Sequence, residues 1–158
     1  MSGAARVLDS GSVAETLDLG RRLGAAARPG DVVALVGELG SGKTHLAKGM
    51  AEGLAAARAR DVTSPTFVLC HEFLDGRIPF YHLDAYRLRG SADLAAIGAE
   101  EMIEGDGLAV LEWADRAPGA LPEDHLEVRL EVTGPASRRL TFVPHGVRSE
   151  RLATAVGS

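Results

Sequence analysis

Val32-Val33-Ala34-Leu35-Val36, followed at once by Gly37-Glu38-Leu39-Gly40-Ser41-Gly42-Lys43-Thr44, is the stretch that decides the fold. Five apolar residues make a buried strand, and the octet after them has the G-x-x-x-x-G-K-T spacing of a phosphate-binding loop. The run from Thr44 through His45, Leu46 and Met50 continues as a helix to about Ala57. In that order, glycines let the backbone turn tightly enough to aim successive N–H groups at phosphates. The start of the helix adds its positive dipole end. Lys43 is placed to reach the β- and γ-phosphates and Thr44 to hold Mg²⁺. The expected nucleotide contacts are therefore Gly37, Glu38, Leu39, Gly40, Ser41, Gly42, Lys43, Thr44 and His45. Of the 17 basic residues only Lys43 and Lys48 are lysines. Where arginine is written almost everywhere else, a compact ammonium in the loop suits a phosphate.

Upstream of the strand, residues 5–8 read as a short edge strand, and Ser12 with Glu15 forms a capping box for a helix from Val13 to Ala27. Val13, Leu17, Gly20, Gly24 and Ala27 share one face, whose small residues point to close packing on a sheet. Downstream, Asp61-Val62-Thr63 reads as a short strand that Ser64-Pro65-Thr66 breaks. Residues 67–73 and 78–84 flank an Asp75-Gly76 turn as a β-hairpin. A helix capped by Ser91 runs towards Ile103 with a break at Gly98. Leu108-Ala109-Val110-Leu111-Glu112-Trp113 is a buried strand ending in a carboxylate. Leu126, Val128, Leu130 and Val132 alternate with polar residues, and residues 139–143 follow a Gly134-Pro135 turn, as two half-exposed antiparallel strands. Residues 149–156 form a short tail helix.

No repeat or linker divides residues 1–158, which read as a single α/β domain of the P-loop NTPase-like kind. Its central sheet is mainly parallel, flanked by helices, with added antiparallel strands. The 46% hydrophobic but 4% aromatic composition requires an aliphatic core. A formal charge of −5 and scattered arginine pairs argue against broad nucleic-acid binding, so any role on RNA would run through protein partners. One cysteine allows no intrachain disulfide, and there is no signal peptide or membrane span, so a cytoplasmic location is expected. Asparagine and glutamine are absent altogether. That removes the Asn-Lys-x-Asp element of guanine recognition and a water-positioning glutamine, and favours ATP. The histidines and Cys70 have no linear ligand spacing, so no structural zinc is expected.

A phosphate loop needs a further carboxylate at the end of a neighbouring strand. Glu112 and Asp84 both fit, and either has a plain reading as a solvated strand-end acid. Ser64-Pro65-Thr66 reads equally as a turn or as a γ-phosphate switch. Trp113 is a core or cover residue, or a contact beside the acid.

Together, the loop at 37–44, Thr63-Ser64-Pro65-Thr66-Phe67, Tyr81-His82-Leu83-Asp84-Ala85-Tyr86-Arg87, Leu111-Glu112-Trp113 and Leu121-Pro122 resemble the bacterial TsaE family, also called YjeE. The resemblance covers most of the chain in order. It implies a small Mg²⁺-dependent ATPase, weak alone, that works with TsaB and TsaD. These install the threonylcarbamoyl group on the adenosine beside the anticodon of tRNA, and the ATPase supports turnover of their complex. It implies ATP and ADP as ligands, tRNA only through the complex, and no membrane. By the same resemblance Lys43 is the phosphate lysine and Thr44 and Glu112 serve the metal. Asp84 is a second functional acid, Ser64 to Thr66 form the switch with Thr66 at the nucleotide, and Trp113 pairs with Glu112. Ser12 and Arg138 lie near the nucleotide. The chain departs from the family pattern at Ser41, His45 and Ala85, none of which removes a phosphate or metal ligand. The rival reading is a small-molecule kinase with Asp84 as its base. It is disfavoured because no long arginine-bearing lid insert follows the third helical region.

Overall fold

The computed structural model describes residues 4–38, 40–63, 70–85, 99–103, 105–116 and 118–157. Leu39, Ser64-Pro65-Thr66, Tyr86-Arg87 and the expected helix start at Ser91 fall outside the described residues.

Seven strands form one sheet: β1 (Arg6–Ser10), β2 (Val32–Val36), β3 (Cys70–Phe73), β4 (Phe80–Asp84), β5 (Leu108–Glu112), β6 (Leu126–Val132) and β7 (Arg138–Pro144). Their order is β1-β7-β6-β2-β5-β4-β3. β4, β5, β2 and β6 run parallel, while β3, β7 and β1 pair antiparallel with their neighbours at the two ends. The central apolar runs lie where both faces are covered, as parallel strands require. β2 and β5 are buried along almost their whole length.

Side-chain alternation divides the interior into two layers. Val33, Leu35, Phe80, Val110, Val128 and Phe142 meet the helices α1 (Val13–Ala26) and α2 (Lys43–Gly53), with Leu23, Leu46, Met50 and Leu54 between them. On the opposite face Ala34, Leu83, Ala109 and Leu111 pack with Ile103 at the end of α3 (Ala99–Ile103). The tail forms α4 (Val147–Ala153), which Asp124 caps from outside by accepting the N–H groups of Arg148 at 2.9 Å and Ser149 at 3.0 Å. No helix among the described residues is long and apolar enough to cross a membrane.

Three local expectations change. The glycine face of α1 meets a helix rather than the sheet: a Cβ on Gly20 would lie 2.4 Å from the Leu46 carbonyl oxygen, and one on Gly24 would lie 2.1 Å from that of Met50. α2 answers with Gly49 and Gly53, whose added carbons would lie 2.3 Å from the carbonyl oxygens of Leu17 and Arg21. Periodicity reveals a face but not what covers it. Second, α2 stops at Gly53 because Ala55 takes a left-handed φ of 59° and the Ala56 N–H returns to the Ala51 carbonyl at 3.1 Å. This is a Schellman closure built on alanine where glycine is usual. Third, Asp61 ends a 3₁₀ turn (Ala59–Asp61) instead of starting a strand, and the Val62 N–H closes that turn on Ala59.

The glycine seam gives a stability prediction. Gly24→Ala gains roughly 1 kcal/mol of helix propensity, but its methyl would strike backbone that no rotamer change can move. The net expectation is a loss of roughly 2 kcal/mol, a fall of about 4–8 °C in Tm. A thermal melt by circular dichroism checks it, and an unchanged Tm would show that the helices can part.

Candidate functional site

β2 delivers the chain to the loop at its C-terminal end, and α2 begins at the loop's last lysine. Gly40 and Gly42 hold φ of 81° and 100°, the left-handed region that favours glycine. Gly37 is glycine for want of space, since a Cβ there would lie 2.6 Å from Ser41 Oγ and 2.8 Å from the Leu130 carbonyl oxygen. Among the described residues no side chain caps Gly42, and no acid stands in the first turn of α2. The helix thus presents an uncapped, positive N-terminus to a cleft lined by Gly40, Ser41, Gly42, Lys43, Thr44, His45, Glu112 and Trp113.

Lys43 is only 5% exposed and lies over its own loop. Its Nζ donates to the carbonyls of Gly37 at 2.5 Å and Glu38 at 2.9 Å, and sits 4.1 Å from the centre of the Trp113 ring. Burial pushes the ammonium's pKa below its ordinary value, and the charges of Glu112, Asp84 and Asp115 act against that shift. Trp113 itself takes a φ of 56°, left-handed backbone that a bulky residue rarely adopts. That turn lies directly after the strand-end acid and sets the indole over the lysine.

Glu112 ends β5 and is 2% exposed. Thr44 Oγ1 donates towards its two carboxylate oxygens at 3.4 and 3.3 Å. Asp84 ends β4 directly opposite Glu112 in the parallel register and is also buried. Two strands therefore bring both acids to the end of the sheet where the loop sits. His82, two residues before Asp84 and fully buried, makes a short contact through Nε2 with Glu112 Oε2, while its Nδ1 is buried without a hydrogen-bond partner among the described residues. Sequence reasoning did not assign His82 a role of its own. The available signal was its period-2 relation to Asp84, which puts both side chains on one face.

Arg138 opens β7 and donates through Nη2 to the Gly40 carbonyl at 3.0 Å, while Nη1 holds the Gly134 and Ser137 carbonyls at 3.1 and 2.8 Å. The β6–β7 turn is thereby fastened to the loop. Ser12 caps α1 by accepting the Glu15 N–H at 3.2 Å, but Glu15 takes the N–H of Gly11 rather than that of Ser12. The described hydrogen bonds of Ser12 stay within this turn. Thr16, one turn on, is the α1 residue that approaches the loop, with Cγ2 3.9 Å from where a Cβ on Gly42 would lie.

Strand, glycine loop, uncapped helix and paired strand-end carboxylates on a mixed sheet with a parallel centre define an α/β protein with the P-loop fold. The structure superposes on the crystal structure of YdiB from Bacillus subtilis with a TM-score of 0.81 and 33% identity, over 99% of this chain and 95% of that one. The model of the family described as "Threonylcarbamoyl adenosine biosynthesis protein TsaE" matches residues 10–140, and the chain belongs to the TsaE family. Its relatives include the tRNA threonylcarbamoyladenosine biosynthesis protein TsaE of Bacillus subtilis, 39% identical over 87% of this chain and 85% of that protein. The protein of the same name from Streptomyces coelicolor is 40% identical over 87% of this chain and 94% of its own length.

Proposed function

We propose that this chain is the Mg²⁺-dependent ATPase of a tRNA threonylcarbamoyladenosine-forming machinery, working in the cytoplasm with TsaB and TsaD. The approach of the Thr44 hydroxyl to the Glu112 carboxylate, beside Lys43 at an uncapped helix start, carries the reading. A hard cation takes oxygen donors, and a hydroxyl and a buried carboxylate converging at the end of β5 are such a set. Bound there, Mg²⁺ would neutralise charge on the β- and γ-phosphates and polarise the transferring group. Among the residues themselves, the loop N–H groups and Lys43 cradle phosphate oxygens. Engaging phosphate requires Lys43 to leave the Gly37 and Glu38 carbonyls, exchanging two neutral acceptors for charged ones. His82 holds the orientation of the Glu112 carboxylate, and Asp84 alongside is the second acid, proposed to orient a water. Arg138 keeps the Gly40 turn in place. Contacts of Ser12 and Thr66 with the nucleotide, and a switch at Ser64 to Thr66, remain part of the proposal on resemblance.

Trp113 is the sole tryptophan and covers the phosphate lysine, so its emission reports on the site. Adding ATP with Mg²⁺ is expected to change that emission by tens of per cent and to saturate with one site. A flat titration at saturating ATP would sink the assignment of the cleft. For the wider role, ADP release is measured with and without TsaB and TsaD. Stimulation by the partners supports the proposal, whereas efficient phosphoryl transfer from the isolated chain to a metabolite would point to a kinase instead.

A further inference from the structure

At the pole of the sheet opposite the phosphate loop, three residues distant in sequence share a face. β6 runs parallel to β2, so its start lies away from the loop that follows β2. His125 immediately precedes β6 and His145 immediately follows β7, and the antiparallel register sets them opposite each other, with the His145 N–H on the His125 carbonyl at 3.1 Å. Glu127 stands two residues beyond His125 on the same side. The imidazoles stack with centroids 4.4 Å apart, and His145 Nε2 lies 3.1 Å from Glu127 Oε1. Linear spacing carried no sign of this group, because strand pairing alone assembles it.

We propose that His125, Glu127 and His145 form a binding site for one divalent transition-metal ion of the Zn²⁺ type. One donor atom from each lies within 4.8 Å of the others, with all three side chains half-buried and open to solvent on one side. Tetrahedral donors about 2.0–2.1 Å from zinc stand roughly 3.3 Å apart, so the widest pair here needs to close by ~1.5 Å at most, and the His145 ring must turn out of the stack so that both in-plane lone pairs meet at the ion. The 3.1 Å pair already matches. Each fixed end supports ligation. His125 Nδ1 engages the Pro122 carbonyl at 2.8 Å, which puts the proton on Nδ1 and leaves the Nε2 lone pair free. Glu127 Oε2 accepts from Arg129 Nε, leaving Oε1 turned towards the histidines. Two nitrogens and one oxygen suit zinc or cobalt(II) and not Mg²⁺. Such an ion would staple the open ends of the β6–β7 pair and leave the phosphate cleft untouched.

The test is calorimetric titration of the full-length, untagged protein with Zn²⁺ in excess Mg²⁺, paired with Co²⁺ absorption spectra. One Zn²⁺ per chain is expected, together with the intense visible bands of four-coordinate Co²⁺. Changes outside the ligand shell cost about 10–100-fold in affinity, so His125→Ala and His145→Ala are each expected to weaken binding by more than about 100-fold. Glu127→Gln, which keeps the shape, is expected to weaken it in the same direction. Glu112→Ala, at the other pole, is expected to bind Zn²⁺ as the parent does. Absence of Zn²⁺ binding by the parent protein, or unchanged affinity in both histidine variants with folding verified by circular dichroism, overturns the site. Loss of binding in Glu112→Ala alone would assign the metal to the phosphate cleft and likewise overturn it.

Discussion

Glu112→Ala is expected to keep ATP within a few-fold of the parent affinity while losing Mg²⁺-dependent hydrolysis by about 10³-fold or more, several kcal/mol of transition-state stabilisation. The carboxylate is the buried acid that faces the Thr44 hydroxyl. Its removal takes away the proposed metal oxygen and leaves the loop's N–H groups and Lys43 in place. The same substitution orphans the fully buried His82 imidazole, at a cost of roughly 1–3 kcal/mol in stability. Glu112→Gln separates the two effects. It retains a hydrogen-bonding partner for His82 and so should melt close to the parent, yet lacks the charge and should remain inactive. ADP release at saturating Mg²⁺ alongside a thermal melt reads both. Undiminished hydrolysis in the glutamine variant would refute the metal role of Glu112.

Lys43→Ala is expected to lose measurable ATP binding. An ammonium bonded to phosphate oxygens contributes about 1.5–3 kcal/mol per charge-assisted hydrogen bond. Two such bonds correspond to a loss of roughly 10²–10⁴-fold. Burial already disfavours the charge of Lys43, and a polyanion in the cleft would restore the incentive to keep it. The alanine variant also releases the Gly37 and Glu38 carbonyls and uncovers Trp113, so its emission should shift even without nucleotide. Calorimetric titration with ATP decides: affinity within about threefold of the parent would remove Lys43 from the phosphate contacts.

The strand, loop and helix at residues 32–53 were legible because every signal there is local: an apolar run, glycines at turn positions and helical periodicity. The carboxylates were legible for a related reason, since Asp84 and Glu112 each close an apolar strand and parallel pairing aligns such ends. His82 read as one more strand residue, because its meaning depends on the pairing of β4 with β5. The same limit hid the union of His125 with His145 across β6 and β7. Asp61-Val62-Thr63 misled because β-branched residues favour strands, whereas the backbone there closes a 3₁₀ turn and Val62 is buried in the helix-side layer. The end of α2 was overrun because Ala55 to Ala57 are strong helix formers. Docking of the Asp75-Gly76 turn, whose Arg77 N–H bonds the Leu54 carbonyl at 2.7 Å, is a tertiary event that propensity does not encode.

The seam between α1 and α2 has a mechanical consequence. Where helices meet through long side chains, rotamer changes let one slide or tilt against the other. At Gly20, Gly24, Gly49 and Gly53 backbone lies against backbone, with no side chain to act as a bearing. The two helices are therefore locked together along this seam, with the phosphate loop at the start of α2. A displacement at Lys43 and Thr44 is therefore expected to move α1 together with α2 rather than to be absorbed between them.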